Sequence, residues 1–249
     1  MPKVSVVMPV FNMQAYIRDS IQSILNQTFS DFELILVDDG STDESCAIAA
    51  EFNDPRVVWI SNPTNTGVAK AVNRGIEQSL GEYIALVAAD DFLTKDSLGL
   101  RLGRIEGGTE DPYGLCCGQI IDIGEDTSLS IAYTRTKKSS LTRYFYGPAN
   151  LIHRKVFEQW GLFDETLPYG SDREMWVRLF GLERERTDRT TFLCIPEVVG
   201  YYRVRPNSLQ QVAARSSLLD KLKIKTKLGQ AILSRLENVG PDIERLKCL

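Results

Sequence analysis

Four runs of apolar, largely β-branched residues recur in the first ninety or so positions, at residues 4–8, 32–37, 57–60 and 83–88. Segments with helical spacing lie between them. Residues 14–26 place Ile17, Ile21, Ile24 and Leu25 on one face, residues 44–52 follow Thr42 as a capping residue, and residues 67–80 run up to Gly81 as a C-cap. Runs apolar on both faces are buried strands of a parallel sheet, and alternation with helices covers that sheet on both sides. The chain is therefore α/β. Ligands of such sheets bind at the carboxyl ends of the strands. Those ends carry residues 9–12, 38–41 and 90–91, and two of the three loops are acidic. Carboxylates there disfavour a bare phosphate. They suit a nucleotide accompanied by a divalent metal, or its base and ribose.

Other classes lose their support one by one. No GxGxxG follows the first strand and no GxxxxGK[ST] is present, which removes the main signal of dinucleotide oxidoreductases and P-loop enzymes. A single histidine, His153, leaves little room for histidine-based catalysis or a multi-histidine zinc site. Lys+Arg is 29 against Asp+Glu 33, a net charge of −4 that argues against a dedicated nucleic-acid binder. The five cysteines lack a CxxC spacing, so a reduced, cytoplasmic protein is expected. No signal peptide is expected at the N-terminus, and no apolar run reaches the roughly 20 residues of a membrane span.

After Lys95 the pattern loosens. Helices are expected at residues 96–105, where Gly107-Gly108 breaks the run, and at 154–159 and 172–180. Strands are expected at 113–121, leading through Ile123 into a hairpin, and at 192–195. A basic loop spans 134–143, and a helical tail spans 208–236.

Seven segments in order then carry a resemblance: VSVVMPVFN (4–12), ILVDDGSTD (35–43), NTGVAKAVNRG (65–75), GEYIALVAADD (81–91), GLFDE (161–165), SDREMWVRL (171–179) and YYRVRPNS (201–208). Together they resemble family 2 glycosyltransferases, inverting enzymes with the GT-A fold, over residues 3–208. The resemblance implies a three-layer α/β/α sandwich with a mostly parallel central sheet and a C-terminal helical tail. It divides the chain into a glycosyltransferase domain over 1–207 (nucleotide half 1–91, acceptor and catalytic half 92–207) and the tail over 208–249. It implies transfer from a nucleotide-diphosphate sugar, UDP-linked before thymidine-diphosphate-linked, to an acceptor hydroxyl in polysaccharide or cell-surface glycan synthesis.

Residue roles follow by motif position. Pro9, Val10 and Phe11 line the base and ribose pocket. Asp39 is the nucleobase carboxylate, while Asp38 shapes the turn. Asp90 is the ligand of Mn²⁺ or Mg²⁺, and Asp91 either assists it or caps the next helix; hard cations take oxygen ligands. The family's Asp-x-Asp reads Ala88-Ala89-Asp90 here, so its first carboxylate is missing. Asp172 is the general base, in a segment where Ser171 replaces a Glu; the helix N-terminus and Arg173 favour its ionised form. Glu174 is the nearest substitute base. Arg205 stands where relatives often have His and offers charged donors to the diphosphate. Val72 stands where relatives often have Arg, with Lys70 as a substitute. His153, expected in a loop facing the acceptor site, needs no role, and Trp160 and Trp176 are core residues before they are sugar platforms. The acceptor is a glycan or lipid-linked hydroxyl, received by residues 110–150 and the tail. Residues 208–236 form a basic amphipathic segment suited to peripheral contact with the inner membrane face, or to packing on the domain or on a homodimer mate. Two alternatives stay open: a catalytically weak or inactive nucleotide-binding relative, and a sugar nucleotidyltransferase.

Overall fold

The computed structural model describes residues 1–108, 114–125, 148, 150–168, 170–182 and 191–206. The basic loop at 134–143, most of the expected hairpin, the 207/208 boundary and the tail lie outside them. In chain order the elements are β1 (Val4–Val10), α1 (Ile17–Leu25), β2 (Phe32–Asp38), α2 (Ser45–Ala50), β3 (Val57–Ser61), α3 (Val68–Gln78), β4 (Tyr83–Leu86), β5 (Phe92–Leu93), α4 (Ser97–Gly108), β6 (Gly114–Ile123), β7 (Asn150–His153), α5 (Arg154–Trp160), α6 (Ser171–Leu182) and β8 (Thr191–Arg203). They build one sheet in the order β3-β2-β1-β4-β7-β6-β8-β5. The β1–β2, β1–β4, β2–β3 and β6–β8 pairs are parallel; β7 and β5 run antiparallel to their neighbours.

Alternation along β1 divides the core. Val4, Val6, Met8 and Val10 pack with Ile17, Ile21 and Ile24 of α1, Ala49 of α2 and Leu98, Leu102 and Ile105 of α4. Val7 faces the other way, onto Ala69, Val72 and Ile76 of α3, Val156 and Phe157 of α5, and Met175, Trp176 and Leu179 of α6. Helices thus cover both faces, which is why β1 and β2 are almost wholly apolar. Trp176 is a core residue, as its helical face suggested.

The structure departs from the sequence reading at several boundaries. Thr42 does not cap α2; the Ser45 N–H instead donates to Asp43 Oδ1 at 3.0 Å. Gly81 is not a C-cap either, since α3 ends at Gln78 and Ser79 is already extended. Gly81 is required because the chain passes close to β1: a Cβ there would stand 2.5 Å from the Ser5 backbone nitrogen. The α4 helix runs through Gly107 to Gly108 instead of breaking. Strand β7 was not expected, and β8 is far longer than residues 192–195. Two register shifts, between Cys117 and Gln119 and between Gln119 and Ile120, absorb extra residues of β8, including Pro196, which has no N–H to donate.

His153 ends β7 and pairs with Tyr83, the first residue of β4. That sets it at the amino end of β4, the edge opposite the strand carboxyl ends, and not in a loop facing an acceptor. It is buried, edge-on to the Tyr83 ring at 5.0 Å, and its Nδ1 accepts from the Lys155 N–H at 3.1 Å. Burial lowers its pKa from 6.5, with Lys155 acting the same way and Glu82 and Glu158 opposing. The unfolded chain therefore binds the proton first as pH falls. The stabilisation from neutral His153 is complete above pH 6.5 and is lost as pH drops toward the depressed folded value. In His153→Asn, which keeps an acceptor for the Lys155 N–H, unfolding free energy is expected to depend less on pH between about 7 and 5. Equal slopes for both proteins in denaturant titrations would refute the assignment.

Candidate active site at the carboxyl ends of the strands

The loops after β1 and β2 are tied together by their own side chains. The Asp39 N–H donates to the Val10 carbonyl at 2.8 Å. Asn12 adopts a left-handed φ of 53°. This turns its side chain to accept from the Thr42 N–H at 2.8 Å, while its own N–H donates to Ser41 Oγ at 3.1 Å. Next along, the Met13 N–H donates to Ser45 Oγ and the Gln14 N–H to Asp43, and Gln14 accepts from the Glu44 N–H. Val10 is buried below this lattice, and Phe11 is 39% exposed above it. Asp38 shapes its turn as expected, accepting from the Ser41 N–H at 3.0 Å.

Asp39 is 3% exposed and makes several internal contacts. Its carboxylate accepts from Asn62 Nδ2 at 2.7 Å, from Thr66 Oγ1 at 2.7 Å, from the Thr66 N–H at 3.0 Å and from the Gly67 N–H at 2.8 Å. It therefore anchors the 62–67 turn and the start of α3. Gly40 lets the two loops approach: its φ is 75°, and a Cβ would lie 2.7 Å from the Thr64 carbonyl carbon. Sequence reasoning missed Asn62 and Thr66, although the Asn-Thr-Gly at 65–67 was the available signal. A nucleobase N–H offered to Asp39 has to share the carboxylate with these donors.

A second cluster forms after β4. Asp90 is 8% exposed, and its Oδ2 accepts from Arg205 Nε at 2.6 Å across 115 positions of chain. Arg203 holds the same turn from below: its Nε donates to the Asp90 carbonyl at 3.0 Å, its N–H to Asp91 Oδ1 at 2.9 Å and its Nη1 to the Glu125 carbonyl at 2.7 Å. Both guanidinium groups lie over the Tyr16 ring, at 5.0 Å for Arg203 and 5.1 Å for Arg205. The Tyr16 hydroxyl donates to Glu125 at 3.0 Å, and burial followed by that carboxylate raises its pKa. Tyr16 and Arg203 were not singled out from the sequence. The alternating arginines of Arg203-Val204-Arg205 were their only visible trace.

Asp91 is fully buried, and its backbone carbonyl accepts from Ser20 Oγ. Among the described residues no group of three or more His, Cys, Asp or Glu side chains gathers to hold a metal. The donor set fits a hard divalent ion in one way: Asp90 would supply a carboxylate oxygen, with a bound diphosphate and water supplying the rest. The Arg205 contact leaves Asp90 Oδ1 for that purpose.

Asp172 stands in the first turn of α6, partly exposed. That helix reaches the sheet through Met175, Trp176 and Leu179, on the same face as α3. Glu174 is fully buried and paired with Arg178 at 3.2 Å, and Arg178 also donates to the Trp160 and Leu162 carbonyls. Glu174 therefore secures the helix and is shielded from any acceptor. Asn73 ties α3 to the segment before α6, donating to the Phe163 carbonyl at 2.8 Å and accepting from its N–H at 3.0 Å. Lys70 is exposed, and Arg74 donates to the Ser61 carbonyl at 2.8 Å. The structure thus joins Asp39 to Val10 and Asp90 to Arg205, and sets Asp172 on a separate element.

Comparison with known proteins gives consistent likenesses. The sequence model described as "Glycosyl transferase family 2" matches residues 5–166. An uncharacterised glycosyltransferase of Haemophilus influenzae is 44% identical over 104 residues, 41% of this chain and 42% of its own length. The GalNAc(5)-diNAcBac-PP-undecaprenol β-1,3-glucosyltransferase of Campylobacter jejuni is 28% identical over 187 residues, 72% of this chain and 60% of its own length. This chain thus spans less than two thirds of either relative. Among solved structures, S. aureus TarS 1-349 in complex with UDP-GlcNAc matches with a TM-score of 0.71 at 22% identity, over 93% of this chain and 66% of that one. The mannosyltransferase PcManGT from Pyrobaculum calidifontis, in complex with GDP-Man and Mn²⁺, matches with a TM-score of 0.62 at 18% identity, over 86% and 60%.

Proposed function

This chain belongs to glycosyl transferase family 2, and on that premise we propose that it transfers a sugar from a UDP-sugar to an acceptor hydroxyl, inverting the anomeric carbon. The observation that carries the reading is the Asp90–Arg205 contact at 2.6 Å. It brings two distant motifs into one polar cluster at the strand ends, beside the lattice around Asp39.

Pro9, Val10 and Phe11 border the base and ribose, and Asp39 accepts the imide N–H of uracil. Arg205 donates to the diphosphate oxygens, a charge-assisted contact that strengthens as the leaving group gains charge. Asp90 would hold Mn²⁺ or Mg²⁺, and Asp91 supports the turn beneath it. When bound, that ion supplies Lewis-acid neutralisation of the diphosphate. Asp172 takes the proton of the acceptor hydroxyl as its oxygen attacks the anomeric carbon and the bond to the diphosphate breaks. A single displacement inverts the centre. The acceptor is a glycan or lipid-linked hydroxyl of polysaccharide or surface-glycan synthesis, at the cytoplasmic face of a membrane. Among the described residues no helix is long and apolar enough to cross one.

A UDP-sugar panel with Mn²⁺, with the product anomer read by NMR, tests the reaction. Arg205→Ala is expected to lower donor turnover about 10- to 100-fold, the range for a lost hydrogen bond to a charged group. Unchanged turnover would remove Arg205 from this role. The second reading, a nucleotide-binding relative without turnover, has one feature in its favour: Asp90 is already neutralised by Arg205. Calorimetric UDP binding with no product from any donor would select it.

A further inference from the structure

Strands β6 and β8 run parallel, and Cys117 is in register with Cys194. Adjacent strands lie about 4.8 Å apart, inside the roughly 4.4–6.8 Å between Cα atoms that a disulfide spans. Residues in register project from the same face, and the two Sγ atoms are 2.9 Å apart. Closing them to the bonded distance of about 2.05 Å takes a movement of under about 1 Å. The thiols differ in access. Cys117 is buried at 1% exposure, and Cys194 is exposed. The neighbouring Cys116 is buried in the core cluster that also holds Val199 and Leu102. The ladder is irregular immediately after the pair, with register shifts between Cys117 and Gln119 and between Gln119 and Ile120.

We propose that Cys117 and Cys194 are a redox modification site, forming a reversible intramolecular disulfide by exchange with a small-molecule disulfide. The Cys194 thiolate attacks one sulfur of the incoming disulfide, giving a mixed disulfide on Cys194 and releasing one thiol. Cys117 then attacks the Cys194 sulfur and expels the second thiol. The two cysteines lose two electrons and two protons, and the small disulfide gains both. The order follows from access, and the contact between the two sulfurs also pulls the Cys194 thiol down while it and burial push Cys117 up. The cross-link staples β8 to β6 upstream of Arg203, whose strand leads to Arg205.

The test uses the whole reduced chain in buffers of increasing oxidised-to-reduced glutathione ratio, followed by alkylation and mass spectrometry. The expected result is two fewer alkylatable thiols, with a linked peptide pair containing Cys117 and Cys194, reversed by reductant. Cys194→Ser is expected to abolish the linkage. Cys117→Ser is expected to trap glutathione on Cys194, because the second attack is lost. Full alkylation of both thiols at the most oxidising ratio, or linked peptides joining other cysteines instead, would overturn the proposal. Because Cys194 is exposed, its substitution leaves the core intact, and the wild-type mass alone decides whether the bond forms.

Discussion

Asp172→Asn is expected to lower sugar transfer by about a hundredfold to ten-thousandfold, the range a positioned general base contributes. Asparagine keeps the shape and cannot take the acceptor proton. Asp172 is none of the residues that hold the Asp39 and Asp90 side chains, so UDP affinity by calorimetry is expected to stay within about threefold, under 1 kcal/mol. Glu174 offers no rescue, because it is fully buried against Arg178. Transfer within about tenfold of wild type, in a variant with unaltered melting, would show that another group accepts the proton.

Asp39→Ala is expected to cost stability as well as ligand affinity. It strips the acceptor from Asn62 Nδ2, from the Thr66 hydroxyl and N–H, and from the Gly67 N–H. Only Asn62 among these donors is buried, and it keeps a contact to Thr66 Oγ1 at 3.3 Å. The Gly67 N–H keeps Asn65 Oδ1 at 3.0 Å, and water reaches exposed Thr66, so each lost bond costs about 0.5–1.5 kcal/mol rather than a full desolvation penalty. A net loss of about 1–3 kcal/mol in denaturant unfolding, at constant m-value, is expected. Asp39→Asn keeps one carbonyl acceptor and should fall between wild type and alanine. A change below about 0.5 kcal/mol for Asp39→Ala, the usual scatter of surface substitutions, would contradict the anchoring role.

The first half of the fold was legible because its signals are local. Buried parallel strands are uninterrupted apolar runs, and α1 and α3 repeat Ile17-Ile21-Ile24 and Ala69-Val72-Ile76 at helical spacing. Strand ends then located the acidic loops at 38–41 and 90–91, while the choice of Asp39 and Asp90 within them came from motif position in the family resemblance. The second half was less legible because its strands are defined by pairing. Asn150–His153 is four residues between β4 and β6, too short to show a period. Thr191–Arg203 contains Pro196 and Gly200, which weaken a strand pattern in the sequence but are housed here by irregular pairing. The same limit applied to the site. That Asp39 is held by Asn62 and Thr66, or that Tyr16 lies beneath two guanidinium groups, depends on loops meeting across tens of residues, which no local pattern encodes.

The crossed bonds between residues 12–14 and 41–45 have a thermodynamic consequence. On the proposed function, a cradle preorganised in this way would freeze few torsions when a nucleotide docked, so little conformational entropy would be subtracted from the contact energy. The base and ribose would then need only a small number of groups to grip them. Discrimination between one hexose and another would fall to parts of the molecule beyond that cradle.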